Sequence, residues 1–576
     1  MSDPRPLPWE EPLGAVPTDG GRTSLRVWAP RTAGVAVVTA GGEVPLEPAG
    51  GGVFAGEIAL AAGEDYRLRP AGGEPLPDPC SRHQPEGVRG PSRVVDPGSW
   101  DWTDDGWEGL SLPDLVVYEL HVGTFTPEGT FAGVVPRLAA LRELGVTAIE
   151  LMPVATFPGN RNWGYDGLHT WAPHPAYGGP DGLAALVDAA HAEGLGVILD
   201  VVYNHLGPGS EALEAFGPYL SEKHGTPWGK SVNFDDADCG GVREWAIQNA
   251  CMWVRDLHLD GLRVDAVHAI HDEGARHVLA ELTERVRAAA RFPPVLIAES
   301  DLNDPRTVTP VAAGGWGFDG QWADDHHHAL HARLTGERDG YYGDFAAPGT
   351  LADAAAHPFV YRGGYQPSRR RRHGAPPVGI PPERFVACSQ NHDQVGNRAA
   401  GDRPPAATRR LAALWTLLAP WTPMLFMGEE HGEQRPFQFF TDHIDPFIAD
   451  ATREGRKREF AGFEGFRGEV PDPQDPGTFA RSVIDPEAGD PAVRDLYRRL
   501  LALRRDLPRV VGAVRHDEGA GWIAVARGPW TVLGNFGDDE AEVPVEATAV
   551  ELATHDGVTL GGGALSLPPL SGAVLR

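Results

Sequence analysis

A chain of 576 residues is too long for one ordinary domain, and at 41% hydrophobic and 23% charged it has ample material for a core; about two to four domains are expected. A net charge of −30 excludes nucleic acid as a partner, since phosphate binding needs a basic surface, and suits a neutral polar substrate. Four scattered cysteines with no CxxC pair, a start ("MSDPRPLPWEEPLG") without a basic and apolar leader, and no apolar run of roughly 18–20 residues exclude a disulfide scaffold and a membrane protein, so a soluble cytoplasmic chain is expected.

Residues 1–100 read as a small N-terminal β-sandwich. "TSLRVWAP", "GVAVVTA", "GVFAGEIAL" and "DYRLRP" are short alternating runs separated by Gly and Pro. From 101 to 510 the period changes. "DLVVYELHVG" reads as a strand, "VVPRLAALRELG" as a helix ended by glycine, and "VTAIELMPV" as the next strand. "VILDVVYNH", "GLRVDAV", "PVLIAES", "GFDGQWADD", "RFVACSQNH" and "TPMLFMGEE" continue the series, most of them separated by amphipathic helical segments. Eight strands alternating with helices predict an α/β protein with a central (β/α)8 barrel, carrying a short insertion at 206–236 after strand three and another at 430–485 after strand eight. A doubly wound sheet is the weaker alternative, because neither GxGxxG nor GxxxxGK[ST] occurs. Residues 511–576 return to all-β character and form a C-terminal β-sandwich.

The predicted strands turn polar at their C-terminal ends: Glu119 and His121; Asp200, Asn204 and His205; Arg263 and Asp265; Glu299; His392 and Asp393. In a barrel these ends meet on the face that carries the active site. A lone acid at a strand end reads as a helix cap or a solvated loop residue, and Arg263 with Asp265 alone reads as an ion pair. Three acids on separate strands, Asp265, Glu299 and Asp393, point instead to acid/base chemistry on a neutral hydroxylated substrate. Two carboxylates and an oxocarbenium-like transition state are what glycoside hydrolysis requires. Arg263 two residues before Asp265 would then keep a nucleophile ionised and oriented.

Four stretches in order, "DVVYNH" (200–205), "GLRVDAVHA" (261–269), "LIAES" (296–300) and "NHDQVGN" (391–397), with "NWGYDG" (162–167), resemble the signature regions of the α-amylase superfamily of glycoside hydrolases. The resemblance implies Asp265 as nucleophile, Glu299 as general acid/base and Asp393 as transition-state stabiliser. It implies Tyr165, His205, Arg263 and His392 around the sugar at the cleavage point, Asp200 and Asn204 as their supports, and retention of anomeric configuration. "YELHVGTFTPEGTF", "LIAESDLNDPR", "FMGEEHGEQRPFQFFTDH" and "REGRKREF" look most like the trehalose-releasing members. The implied substrates are malto-oligosyltrehalose and related α-glucans, supplied by a companion synthase without a stable complex. On the leaving-group side, Trp228, Asp442 and His443 are candidate contacts, with Phe439 and Phe440 beside them. A branching enzyme, sharing the sandwich, the barrel and a covalent intermediate, is the alternative; a glucan-binding protein without activity is disfavoured by the intact acids.

Two other features read blandly. "DDHHHALH" (324–331) has His327 and His331 four apart but neither the glutamate of HExxH nor a cysteine partner, so no metal and no cofactor are expected. "SRRRRHG" (368–374) reads as a solvated loop, and Trp28 as either core or a glucan platform.

Overall fold

The computed structural model describes residues 6–226, 229–460 and 470–576. Eight parallel strands close a barrel: β1 Val117–Leu120, β2 Ala148–Leu151, β3 Gly196–Val201, β4 Gly261–Val264, β5 Val295–Ala298, β6 Gly320–Trp322, β7 Phe385–Cys388 and β8 Thr422–Phe426. Ring order follows chain order, and β8 closes on β1 with Met424 opposite Val117 and Phe426 opposite Glu119. Seven strands fall inside the stretches that the sequence marked, and β3 begins one residue before its stretch, at Gly196. They are buried along their whole length, because side chains fill the barrel and helices cover its outside.

The coat is built from α1 Leu138–Leu144, α2 Gly179–Ala192, α3 Gly240–Asp256, α4 Val278–Ala289, α5 Asp324–Thr335, α6 Ala406–Leu417 and α7 Pro491–Arg504. Their ends carry the expected signals. α1 stops at Gly145, whose φ of 111° is left-handed. α7 starts with Pro491 after Asp490, whose side chain accepts from the Ala492 amide, and it buries Leu496, Tyr497, Leu500 and Leu501. Between β5 and β6 only a 3₁₀ turn, Val311–Ala313, interrupts the loop among the described residues. Among the described residues no helix is long and apolar enough to cross a membrane.

Inside the barrel the side chains form two layers. Val117, Ala148, Ile198, Val295, Ile297, Trp322, Val386 and Met424 pack as one apolar cluster. Above it, toward the C-terminal ends, lie Glu119, Glu150, Asp200 and Arg263, all buried, with Glu119 opposite Glu150 and Asp200 opposite Arg263 in the strand register. The barrel thus changes from oil to charge within one layer. β4 must begin with glycine: a Cβ on Gly261 would lie 2.1 Å from the Val295 carbonyl oxygen.

Two antiparallel four-stranded sheets precede the barrel, one containing Arg22–Trp28 and Val53–Ile58, the other Val35–Thr39 and Asp65–Pro70. Trp28 pins them to the barrel. It is buried edge-on against Tyr219, and a Cβ on Gly241, at the start of α3, would lie 2.1 Å from its ring. Trp28 is therefore core and no platform. A five-stranded and a three-stranded sheet follow α7. They dock through Phe536 against Trp415 and through Arg527, which donates to the Leu418 carbonyl, while Arg504 at the end of α7 donates to the neighbouring carbonyls of Leu417, Ala419 and Trp421.

Candidate active site

Arg263 organises the C-terminal face. Its Nη1 donates to Asp200 Oδ2 and to Asp265 Oδ1, each at 2.7 Å, and its Nη2 lies 3.9 Å from Glu299 Oε2. The guanidinium rests 4.1 Å over the Trp322 ring, which fills the barrel beneath it. Asn204, at the end of β3, donates to Asp265 Oδ2 at 2.7 Å, so both oxygens of Asp265 are fixed. Burial raises the Asp265 pKa, but Arg263, His205 and the Asn204 bond outweigh it and hold the carboxyl below its ordinary range.

Glu299 has the opposite environment. Its Oε2 accepts from the Ala266 amide at 2.5 Å, and its Oε1 makes no hydrogen bond to the described residues. Burial first, then the charges of Asp265, Asp324 and Asp393, push its pKa well up; Arg263 opposes them without prevailing. Ala266 holds a left-handed backbone, φ 39°, uncommon for a residue with a Cβ. That turn aims its amide at Glu299 immediately after Asp265, a local strain of the kind stored at functional sites. Two neighbouring carboxyl groups with pKa values driven in opposite directions are chemically suited to divide the work of a nucleophile and an acid.

The third acid, Asp393, opens a short helix after β7 and is 39% exposed. Its Oδ1 accepts from Asn397 Nδ2 at 2.9 Å and lies 3.4 Å from His392 Nε2. His392 is clamped by Glu119 from β1, which takes both its ring Nδ1 (2.5 Å) and its backbone amide (2.8 Å). Burial lowers the His392 pKa, but Asp393 and Glu119 overcome it and carry it up to about 9, so the ring is a cation at neutral pH. Tyr165 stacks on it at 5.1 Å and shares its hydroxyl between His392 Nε2 (2.8 Å) and Asp200 Oδ2 (2.6 Å). His205 bonds the Tyr165 carbonyl through Nε2 at 2.9 Å and Asn204 through Nδ1. Asp265, Glu299, Asp393, Arg263, His392, Tyr165, His205, Asp200 and Asn204 thus form one connected cluster.

The remaining candidates fall elsewhere. Asp442 is consumed by the loop before Tyr165: Arg161 Nη2 and the Asn160 amide donate to its two oxygens at 2.7 and 2.9 Å. A carboxylate so engaged braces the loop that carries Tyr165, with 28% of its side chain still exposed. His443 lies beside it, its Nε2 4.0 Å from Asp166 Oδ2. Phe440 is fully buried against His121 and Phe479, and Phe439 packs on Trp163 and Arg456; both belong to the support of the tyrosine loop. Trp228 lies outside the described residues.

Sequence reasoning missed three contributors. Glu150 lies beneath the site with neither carboxylate oxygen hydrogen-bonded, and the signal was a charge inside the apolar run "AIELM". Asp324, whose burial and acidic neighbours raise its pKa to about 7, begins the stretch weighed only for its histidines. Glu119 was noted as a strand end, but its partner 273 residues away could not be read from spacing. Of the histidines of that stretch, His326, His327 and His331 are buried and His328 is half-buried; His327 stacks on His331, His331 lies tilted against Tyr342, and His331 bonds Glu337. Among the described residues one group of possible metal ligands gathers, His224 and Asp235 from the insertion after β3 with Glu273 from the loop after β4. The ammonium of Lys223 already lies 3.0 Å from both carboxylates there.

A closed parallel barrel that gathers Asp265, Glu299 and Asp393 at its C-terminal face has the layout of a glycoside hydrolase of the α-amylase fold. The family model for the alpha amylase catalytic domain matches residues 95–223. A malto-oligosyltrehalose trehalohydrolase of Rhizobium sp. (strain M-11) is 46% identical over 98% of this chain and 100% of its own. A 1,4-alpha-glucan branching enzyme of Corynebacterium jeikeium is 31% identical over 54% of this chain and 49% of its own. Among solved structures, a putative alpha amylase from Salmonella typhimurium superposes with a TM-score of 0.90 at 39% identity, covering 98% of this chain and 99% of that one. The chain belongs to the malto-oligosyltrehalose trehalohydrolase family.

Proposed function

We propose that this enzyme cleaves the α-1,4-glucosidic bond next to the terminal trehalose of malto-oligosyltrehalose with retention, releasing trehalose and a shortened malto-oligosaccharide. Asp265 attacks the anomeric carbon while Glu299 gives its proton to the departing trehalose oxygen. The product of that step is a malto-oligosyl ester on Asp265, joined through the anomeric carbon of its last glucose. Glu299, now ionised, takes a proton from water, whose oxygen attacks the same carbon and frees Asp265. Asp393 and the His392 cation border the sugar hydroxyls on the exposed side of the site, and Tyr165 offers its ring as a stacking face. Arg263 acts through Asp265 and Asp200, keeping the nucleophile charged throughout.

The observation that carries this reading is geometric: Arg263 and Asn204 each donate to Asp265 at 2.7 Å, while Glu299 lies 3.9 Å from the same guanidinium and accepts from the Ala266 amide, an arrangement that drives the two pKa values apart. End-to-end similarity to a trehalohydrolase, against half-length similarity to a branching enzyme, supports hydrolysis over transfer. Four free cysteines, three of them buried, suit a reducing cytoplasm. The substrate would come from an enzyme that rearranges malto-oligosaccharide ends, with no stable complex required. The test incubates the enzyme with malto-oligosyltrehalose and with a plain malto-oligosaccharide of equal length, following products by chromatography. Free trehalose from the first and slow turnover of the second are expected. Equal cleavage of both, or longer branched products, would overturn the reading.

A further inference from the structure

A cavity of about 530 Å³ lies between the N-terminal sheets and the barrel loops, outside the cluster of acids. That is within the size range of small-molecule sites, which lie preferentially where domains meet. One wall comes from the N-terminal unit, including Arg67 and Arg89; the others come from the loop after β2, from Pro208–Phe216 after β3, and from His443–Ile448 after β8.

Two of these walls continue directly from residues placed at the sugar. Pro158 and Leu168 flank the loop that carries Tyr165, and Pro208 follows His205 by three residues. The loops are tied together beside the cavity, since the Gly207 amide donates to the Gly167 carbonyl at 2.9 Å. His443, on the cavity wall, lies 4.0 Å from the carboxylate of Asp166, the residue after Tyr165. On this loop the cavity wall begins at Leu168, three residues beyond the stacking tyrosine. It lies away from Glu299, which must face the leaving group, and its lining includes no residue of the loops after β4 or β5.

The lining chemistry is mixed. Pro75, Leu213 and Ile448 offer apolar faces of the kind that the C–H faces of glucose rings cover. The Arg89 guanidinium makes no hydrogen bond or ion pair among the described residues and is a free set of donors for hydroxyl groups. The neighbouring wall is fixed in place: Arg67 Nη2 donates to the Arg89 carbonyl at 3.0 Å, and His169 Nε2 bonds the Val88 carbonyl at 3.0 Å, joining the N-terminal unit to the tyrosine loop.

We propose that this interdomain cavity is a subsite for distal glucose units of the malto-oligosaccharide arm, and that the N-terminal sheets contribute to chain-length preference through it. The proposal rests on the reading of function above. It identifies the occupant as neutral α-1,4-glucan several units from the cleaved bond, on the side that stays with Asp265.

The test measures kcat/KM for malto-oligosyltrehaloses of increasing chain length in the wild type, in Ala212→Trp, which fills the cavity from an exposed wall position, and in Arg89→Ala. Thermal melts confirm that each variant folds. The expected result is a penalty that grows with length, about tenfold for the longest substrate with Ala212→Trp and less than about twofold for the shortest, because only a chain long enough to enter loses binding energy there. Arg89→Ala should show the same trend at smaller amplitude. Losses equal at every length, or no loss at any length, would overturn the subsite. If the wild type released no trehalose at all, the functional reading would fail separately. Direct titration with maltoheptaose would then still decide the cavity, weaker binding by Ala212→Trp supporting it and unchanged binding overturning it.

Discussion

At the scale of single residues, the account depends on two carboxyl groups with separated proton affinities. Activity requires Asp265 ionised and Glu299 protonated. It should fall at low pH as Asp265 takes up its proton, below the ordinary carboxylate range, and fall again at high pH as Glu299 loses its own, well above that range. Asp265→Asn should lower kcat by at least about a thousandfold. Glu299→Gln should lower it by roughly 10²–10⁴-fold and remove the high-pH limb when the substrate carries a leaving group that needs no proton. A high-pH limb that persisted in Glu299→Gln would assign the acid elsewhere. Glu150 allows a separate check on stability. Burial first, then the charge of Glu119, raises its pKa well above normal, so it holds its proton to higher pH when folded than when unfolded. That mismatch weakens the fold as pH rises above the unfolded value near 4.3. Glu150→Gln should therefore gain in melting temperature over the wild type from pH 4.5 to 8, and a difference constant with pH would contradict the assignment.

At the scale of elements, each functional side chain is placed by a strand end and tuned by a neighbouring strand. β1 supplies Glu119 to His392 after β7, β3 supplies Asp200 to Arg263 and Tyr165, and the turn after β4 aims an amide at Glu299. Glu119→Gln removes the charge that helps keep His392 protonated, so the His392 pKa should fall from about 9 toward neutrality. Because His392 positions Tyr165, KM should rise several-fold between pH 7 and 8.5 while remaining nearer wild type at pH 6. A pH-independent defect would show that Glu119 serves only packing. This is also where legibility in the sequence ends. The strands, their order and the acids at their tips were readable, because apolar runs and polar ends are local signals. The bonds between tips were not, because Glu119–His392 and Arg161–Asp442 join residues 273 and 281 positions apart. Asp442 looked like a sugar ligand for the same reason: nothing near it in the chain announces the arginine that occupies it.

At the scale of the molecule, the barrel is closed from below by the segment that enters it. His191 on α2 lies between Asp104 and Asp260, at 3.1 and 2.9 Å, with Trp107 stacked on it at 4.8 Å and bonded to Asp260; His258 and Arg291 complete the ring around Asp104. Burial lowers the His191 pKa, but the two carboxylates outweigh it and raise it above its ordinary value. A histidine with a raised folded pKa contributes stability that is fully present below about 6.5, the unfolded value, and is lost as pH climbs through the folded one. Thermal melts should decline between pH 6 and 8. His191→Gln should flatten that slope and cost roughly 1–3 kcal/mol at pH 6, since it leaves a buried carboxylate short of its charged partner. An unchanged slope would locate the pH dependence elsewhere. The clasp was invisible in the sequence, where Asp104, His191 and Asp260 are unremarkable polar residues in three separate segments.

The central claim is that Asp265 becomes covalently glucosylated with Glu299 as its proton partner. The most direct measurement is the mass of the Glu299→Gln protein after brief exposure to an α-glucosyl fluoride, whose leaving group needs no acid and whose ester cannot be hydrolysed without the missing base. The account predicts one added glucosyl group, recovered after digestion on the peptide containing Asp265 and absent when Asp265→Asn is combined with it. An unmodified protein that releases fluoride at the same rate, or an adduct on another carboxylate, would contradict it.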